Sequence, residues 1–218
     1  MVEGCIMAST DLAARIADRG IVGIVRGSSA DAIVETVDAL VRGGVDVVEI
    51  TADTDGVTRL LRDVSDSFGD EVLLGAGTVL DPETAQAVLS NGAEFVVTPT
   101  VNPDVIELAN RYGAPSFPGA YTPTEVVRAY EAGADAVKLF PASTGGVDHL
   151  RAVSGPLGHV PLVPTGGVSL DNAEAYFDAG ATALGVGSSL VDAEAVADGD
   201  FERLTENAEA FRRIADRR

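Results

Sequence analysis

Four times in this chain a helix-like stretch ends in glycine and runs directly into a short apolar segment. The junctions are Arg42-Gly43-Gly44, Ser90-Asn91-Gly92, Glu131-Ala132-Gly133 and Asp178-Ala179-Gly180, and their last glycines are separated by 48, 41 and 47 residues. Glycine after a helix accepts the left-handed conformation that stops it, so each junction marks a repeated unit of strand and helix. The unequal spacing argues against a solenoid, whose period is constant. The apolar segments are near-continuous rather than alternating, the pattern of parallel strands covered on both faces. Eight of them alternate with helices: Ile21–Val25, Val45–Thr51, Val72–Ala76, Glu94–Val97, Pro115–Phe117, Ala136–Phe140, Leu162–Val163 and Ala183–Val186. Eight parallel strands are the number that closes a (β/α)8 TIM barrel, and residues 1–218 suit one such domain. An open doubly wound sheet is the alternative. It lacks a GxGxxG opening the first helix.

The helices carry their own punctuation. Ile33, Val34, Val37, Leu40 and Val41 recur at helical spacing after Ser28 and Ser29, which are candidate caps. Leu60, Leu61 and Val64 mark a second amphipathic helix. Asp81-Pro82, Asn102-Pro103 and Thr122-Pro123 each pair a capping side chain with proline at the first helical position. Ser169 is expected to cap the helix before the last strand, and Phe201–Arg213 reads as a terminal helix.

Composition narrows the chemistry. The single cysteine, Cys5, excludes a disulfide or a cysteine-based zinc cluster within this chain. His149, in a predicted helix, and His159, in a loop, are the only histidines and lie apart, which favours surface placement over metal ligation. No apolar run approaches the ~18 residues of a membrane span. The first residues show no basic flank or signal-peptide core, so a cytoplasmic location is expected. The formal net charge is −19, from 34 acidic against 15 basic residues. Such self-repulsion is relieved by salt, and an acid excess of this size suits a halophile's cytoplasm, an acidic mesophilic enzyme being the alternative. It disfavours nucleic acid as partner, because that affinity comes from Lys and Arg meeting phosphates.

Fourteen of the basic residues are arginine, so Lys138 is the only lysine. It stands within Ala136-Val137-Lys138-Leu139-Phe140, where desolvation favours the neutral amine, a nucleophile for ketones. A lysine snorkelling from a strand end is the plainer reading. Glu49 is the matching oddity, a charge within Val47-Val48-Glu49-Ile50. Strand alternation puts Val47, Glu49 and Thr51 on one face, and Ala136, Lys138 and Phe140 on one face of theirs. A carboxylate near a lysine suits amine attack with general acid–base proton transfer, or else a buried ion pair without chemistry. In a barrel of this type catalytic groups project from the C-terminal strand ends, which adds Arg26, Thr78 and Thr165 as candidates. Pro164-Thr165-Gly166-Gly167-Val168 and Gly185-Val186-Gly187-Ser188-Ser189 follow the seventh and eighth strands, where glycine turns and helix N-termini receive phosphate.

Seven motifs in order then resemble the 2-keto-3-deoxy-6-phosphogluconate (KDPG) and 4-hydroxy-2-oxoglutarate aldolase family. They are Gly23–Arg26, Gly43-Gly44 through Val48–Thr51, Gly75–Val79, Thr98-Pro99, Val137–Pro141, Pro164–Val168 and Gly187-Ser188. The resemblance implies that Lys138 forms a Schiff base and Glu49 moves protons. It also implies that Arg26, Thr78 and Pro99 line the carboxylate and keto end of the substrate, with Phe140 beside them. Thr165, Gly166, Gly167, Gly187 and Ser188 would hold its phosphate. The implied substrate is a phosphorylated keto-sugar acid, cleaved to pyruvate and glyceraldehyde 3-phosphate by a homotrimer that needs no metal or cofactor. One position departs from the pattern. Some members carry an arginine four residues after the glutamate, helping with phosphate, where this chain has Asp53, which is expected to point away. A sugar-phosphate isomerase with Glu49 as base, and a non-catalytic sugar-phosphate sensor, are the rival readings.

Overall fold

Short apolar runs form the strands, and glycines at their helical ends set the spacing. The computed structural model describes residues 9–29 and 32–218. A helix α1 (Ser9–Arg19) precedes β1 (Ile21–Val25) and α2 (Ile33–Arg42). Then follow β2 (Val47–Thr51), α3 (Val57–Phe68), β3 (Leu73–Gly77), α4 (Pro82–Leu89), β4 (Phe95–Val97) and α5 (Pro103–Tyr112). The next strand is two segments, β5 (Ser116–Phe117) and β6 (Gly119–Ala120), parted by Pro118, which has no N–H for a ladder. The chain continues through α6 (Pro123–Glu131), β7 (Val137–Leu139), α7 (Ala142–Ser154, broken at Gly146) and β8 (Leu162–Pro164). It ends with α8 (Ala173–Asp178), β9 (Leu184–Val186), α9 (Ala193–Asp198) and α10 (Phe201–Ala215).

All paired strands are parallel, in the orders β5-β4-β3-β2-β1-β9 and β6-β7-β8. The sheet curls, and hydrogen bonds cross both gaps between its two parts. Lys138 N donates to Pro118 O (3.0 Å) and Asp135 N to Ser116 O (3.2 Å) on one side. On the other, Thr182 N donates to Leu162 O (2.9 Å), and Thr165 bridges Gly185.

The two-residue period of the strands sorts side chains into two cores. Val48, Ile50, Leu74, Val137 and Leu139 point outward and pack with Leu40, Leu61, Val126 and Phe211 of the helices. Val47, Leu73, Phe95, Val97, Phe117, Ala136 and Val163 point inward and gather with Leu12 and Ile16 of α1. Phe95 and Phe117 meet edge-on inside, with centroids 5.8 Å apart. This is not the doubly wound alternative, in which helices cover both sheet faces. The N-terminal helix α1, which the sequence reading did not place, supplies apolar side chains to the inner core.

The glycine junctions work as expected: Gly44 lies at φ +84° and Gly180 at φ +95°, and the next residues, Val45 and Ala181, donate back to Leu40 O and Tyr176 O. Asp81 and Asn102 accept from Thr84 N and Asp104 N, and Thr122 with Glu125 forms a capping box. Two capping expectations fail. The helix after β1 starts at Ile33 with Ala32 as its cap, and it is the backbone carbonyl of Ser29 that accepts from Ala32 and Ile33. Ser169 likewise offers only its carbonyl, to Asn172 and Ala173, so α8 begins later than a serine cap implies. Cys5 lies outside the described residues. Among the described residues no helix is long and apolar enough to cross a membrane.

Ile16 is 2% exposed and Leu80 56% exposed. Ile16→Ala is therefore expected to cost about 2–4 kcal/mol of stability through the cavity it leaves, whereas Leu80→Ala changes stability by less than about 0.5 kcal/mol. Urea unfolding of both variants checks the contrast.

Candidate active site

Strand geometry carries both unusual charges inward. In β2, Val47 joins the inner core and Val48 and Ile50 the outer one, so Glu49 faces the interior. In β7 the flanking Val137 and Leu139 are outer, so Lys138 faces the interior as well, beside inner Ala136. Glu49 is 2% and Lys138 7% exposed.

Above them opens a cleft of about 230 Å³. Its wall is built from successive strand ends: Arg26 after β1, Glu49 in β2, Thr78 after β3 and Pro99 after β4. Lys138 and Phe140 come from β7, Thr165, Gly166 and Gly167 from the β8 turn, and Gly187 and Ser188 from the β9 turn. The structure thus brings every candidate residue into one site, at the C-terminal ends of the strands. Ile24 and Val168 also line it and carried no chemical signal in the sequence. Below Lys138, Glu49 and Thr165 lies a small apolar space of about 20 Å³ walled by Ile16, Val22, Phe95, Val97, Phe117 and Val163. The floor of the cleft is therefore dry, and the two charges are approached from above.

Glycines make the geometry possible. A Cβ at Gly77 would fall on the Glu49 carboxylate, and one at Gly185 on the Thr165 hydroxyl. Two successive left-handed residues, Gly166 (φ +86°) and Gly167 (φ +83°), shape the β8 turn. A side chain at Gly167 would strike Ser143. Gly166 O and Thr165 O accept from Ser143 N and Ala142 N (both 2.8 Å), which ties this turn to the start of α7. The longer helices that follow begin further along, at Ala173 and Ala193, but Leu190 N and Val191 N both donate to Gly187 O (2.9 Å), so a single helical turn opens directly after Gly187.

Thr78 is the one described non-glycine residue with positive φ (+55°). A β-branched side chain there costs of order 1–3 kcal/mol and is held only where neighbours over-determine it. Its hydroxyl accepts from Arg26 Nη2 at 3.0 Å. Arg26 Nη1 donates to Asp53, so Asp53 turns its carboxylate onto a cleft residue rather than away from the site. That contact spans 27 residues and gave no signal in the sequence.

Burial raises the pKa of Glu49 above the ordinary 4.5; the positive charges of Lys138 and Arg26 oppose the rise, and Asp53 adds to it. Lys138 Nζ lies over the Phe140 ring, 5.0 Å from its centroid. The histidines stand apart: His149 stacks on Tyr121 (4.3 Å) and its Nε2 meets Tyr121 O (2.8 Å), while His159 packs edge-on against Tyr130.

Comparison with known proteins places the chain in a family. The family model described as "Aldolase: KDPG and KHG aldolase" matches residues 12–207. The chain is 35% identical over 192 residues to the 2-dehydro-3-deoxy-6-phosphogalactonate aldolase of Escherichia coli (strain K12), covering 88% of this chain and 92% of that protein. It is 39% identical over 168 residues to the 2-dehydro-3-deoxy-phosphogluconate aldolase of Treponema pallidum (strain Nichols), covering 77% and 80%. Its fold superposes, with a TM-score of 0.86 and 28% identity over 92% of this chain and 97% of the other, on Legionella pneumophila KDPG aldolase with pyruvate captured as a covalent carbinolamine. The chain belongs to the KDPG and KHG aldolase family.

Proposed function

We propose that this protein is a class I aldolase, a carbon–carbon lyase that cleaves 2-keto-3-deoxy-6-phosphogluconate to pyruvate and glyceraldehyde 3-phosphate in Entner–Doudoroff-type sugar acid breakdown. The likeness to a phosphogalactonate aldolase supports acceptance of the galactonate epimer too. One observation carries the reading: a buried lysine and a buried glutamate face one cleft above a dry core.

The geometry supports this sequence of steps. Neutral Lys138 attacks C2 of the keto acid to give a carbinolamine, and loss of water yields an iminium. Glu49, directly or through a water, takes the C4 hydroxyl proton. The C3–C4 bond breaks, its electron pair moves to the iminium, and glyceraldehyde 3-phosphate leaves. The enamine is protonated at C3, and water hydrolyses the resulting iminium to pyruvate and free Lys138. Arg26, Thr78 and Pro99 receive the carboxylate and keto end, and Phe140 packs beside the amine. Thr165, Gly166, Gly167, Gly187 and Ser188 hold the phosphate, through backbone N–H groups and hydroxyls.

The same reading extends to the whole molecule. With β5 and β6 taken as one strand interrupted at Pro118, the curled sheet is a single-domain (β/α)8 barrel, supported by the bonds that cross both of its gaps. The enzyme is a homotrimer of the cytoplasm, as its family implies, and works without metal. The charge of −19 with a lone lysine favours high intracellular salt.

Three outcomes follow. Borohydride in the presence of pyruvate should label Lys138 irreversibly, as read by peptide mass; no adduct would favour an isomerase using Glu49 alone. Glu49→Gln should lower kcat/KM by about 10²–10⁴-fold while raising stability at neutral pH. The folded protein holds the Glu49 proton to higher pH than the unfolded chain does. Stability therefore falls as pH rises from about 4.5 through the raised value, and glutamine removes that loss in pH-dependent urea unfolding. Gly77→Ala, by displacing the Glu49 carboxylate, should reduce turnover towards the Glu49→Gln level and still permit the pyruvate adduct.

A further inference from the structure

The floor beneath the two buried charges has one wall that the sheet does not supply. Of the residues around the small apolar space under Glu49 and Lys138, Ile16 alone belongs to a helix, α1. Strands are fixed by their ladders, whereas a helix packed across strand ends stays only while its side chains hold it. If α1 lifts, the space of about 20 Å³ opens to water from below.

Polar contacts hold α1 down on two sides. Arg218 Nη2 donates to Ala17 O and Asp18 O, carbonyls of the last turn that the helix itself leaves unpaired. Its Nη1 donates to Thr182 O (2.9 Å) ahead of β9, and its guanidinium stands over the Phe177 ring. Gly20 permits this fit, since a Cβ there would lie 2.8 Å from the guanidinium carbon. Arg212 Nη1, from α10, donates to Arg19 O (2.6 Å). On the other side Arg19 pairs with Asp46 (2.9 Å) ahead of β2, and Arg15 Nη2 donates to Asp70 O (3.3 Å) ahead of β3. Thr182, Asp46 and Asp70 all precede strands, so α1 lies across the N-terminal strand ends, opposite the cleft.

We infer that Ile16 is a positioning residue for the reaction: held in place by Arg218, it seals the underside of Glu49 and Lys138, so that both meet water and substrate only from the cleft above. The charged groups that face Glu49 are Lys138 from β7, Arg26 after β1 and Asp53 after β2, and none of them belongs to α1 or α10. Burial is the largest influence on Glu49 and raises its pKa. Water admitted from below therefore lowers that pKa, and the acid limb of kcat/KM, where the base takes up its proton, moves to lower pH. This rests on the aldolase reading above.

The test follows kcat/KM for 2-keto-3-deoxy-6-phosphogluconate against pH in the wild type, Ile16→Thr, Ile16→Val and Arg218→Ala. The substrate's own titration is common to all four. Ile16→Thr, which puts a hydroxyl into the floor, should move the acid limb about 0.5–1 pH unit lower. Arg218→Ala should move it about 0.2–0.5 unit the same way, and Ile16→Val, which keeps the floor apolar, should stay within about 0.2 unit of the wild type. Leu61→Ala, in the outer core on α3, should lose stability in urea without moving the limb. A limb that stays in place or rises in Ile16→Thr or in Arg218→Ala overturns the inference, and should Ile16→Thr not fold, Arg218→Ala decides alone. An equal shift in Leu61→Ala also overturns it, because lost stability would then account for the effect. A wild type that forms no borohydride-stable pyruvate adduct and cleaves no substrate removes the aldolase reading and this inference together. An adduct with an unmoved limb in the variants removes the inference alone.

Discussion

Two charges inside a parallel sheet set the terms for the rest of this molecule. An isolated carboxylate or ammonium in an apolar interior is strongly disfavoured unless something compensates it. Glu49 and Lys138 face the same interior, and the charges of Lys138 and Arg26 draw the Glu49 pKa back down against its burial. The inner face of the sheet shields the site from below with Phe95, Phe117, Val97 and the side chains of α1. A polar opening remains only above, where the strands end. The chemistry thus sits where water is controlled and where loops are free to vary without disturbing the core.

Glycine is the material that lets the strand ends approach one another. Gly77 leaves space for the Glu49 carboxylate and Gly185 for Thr165, while Gly166 and Gly167 turn the backbone back against the start of α7. Thr78 does the opposite, holding a strained left-handed backbone with a branched side chain and using its hydroxyl to fix Arg26. Strain at one residue and missing side chains at others serve one end: polar groups aimed at a volume small enough for one keto acid.

Strand and helix identity could be read from periodicity and punctuation because these are local. β1 runs over the expected residues, and Asp81, Asn102 and Thr122 cap as their sequence context demands. The inward placement of Glu49 and Lys138 follows from a two-residue period, which is also local. The serine caps failed because a hydroxyl near a helix start competes with the backbone carbonyl, and at Ser29 and Ser169 the carbonyl has the reach. Helix α1 escaped notice because its value lies in what Leu12 and Ile16 touch, and the inner core they join is assembled from strands distant in sequence.

The order of residues by itself determined that strands and helices alternate, that glycine ends the helices, and that one lysine and one glutamate occupy apolar strands. Those features depend on neighbours a few positions away. Only the folded chain decided that residues from seven strand ends share one cleft, that Thr78 adopts its left-handed backbone, and that Asp53 turns onto Arg26 rather than aside. Such contacts are set by the curl of the sheet and the close packing of loops across it, and no local pattern of residues encodes which loop tip meets which.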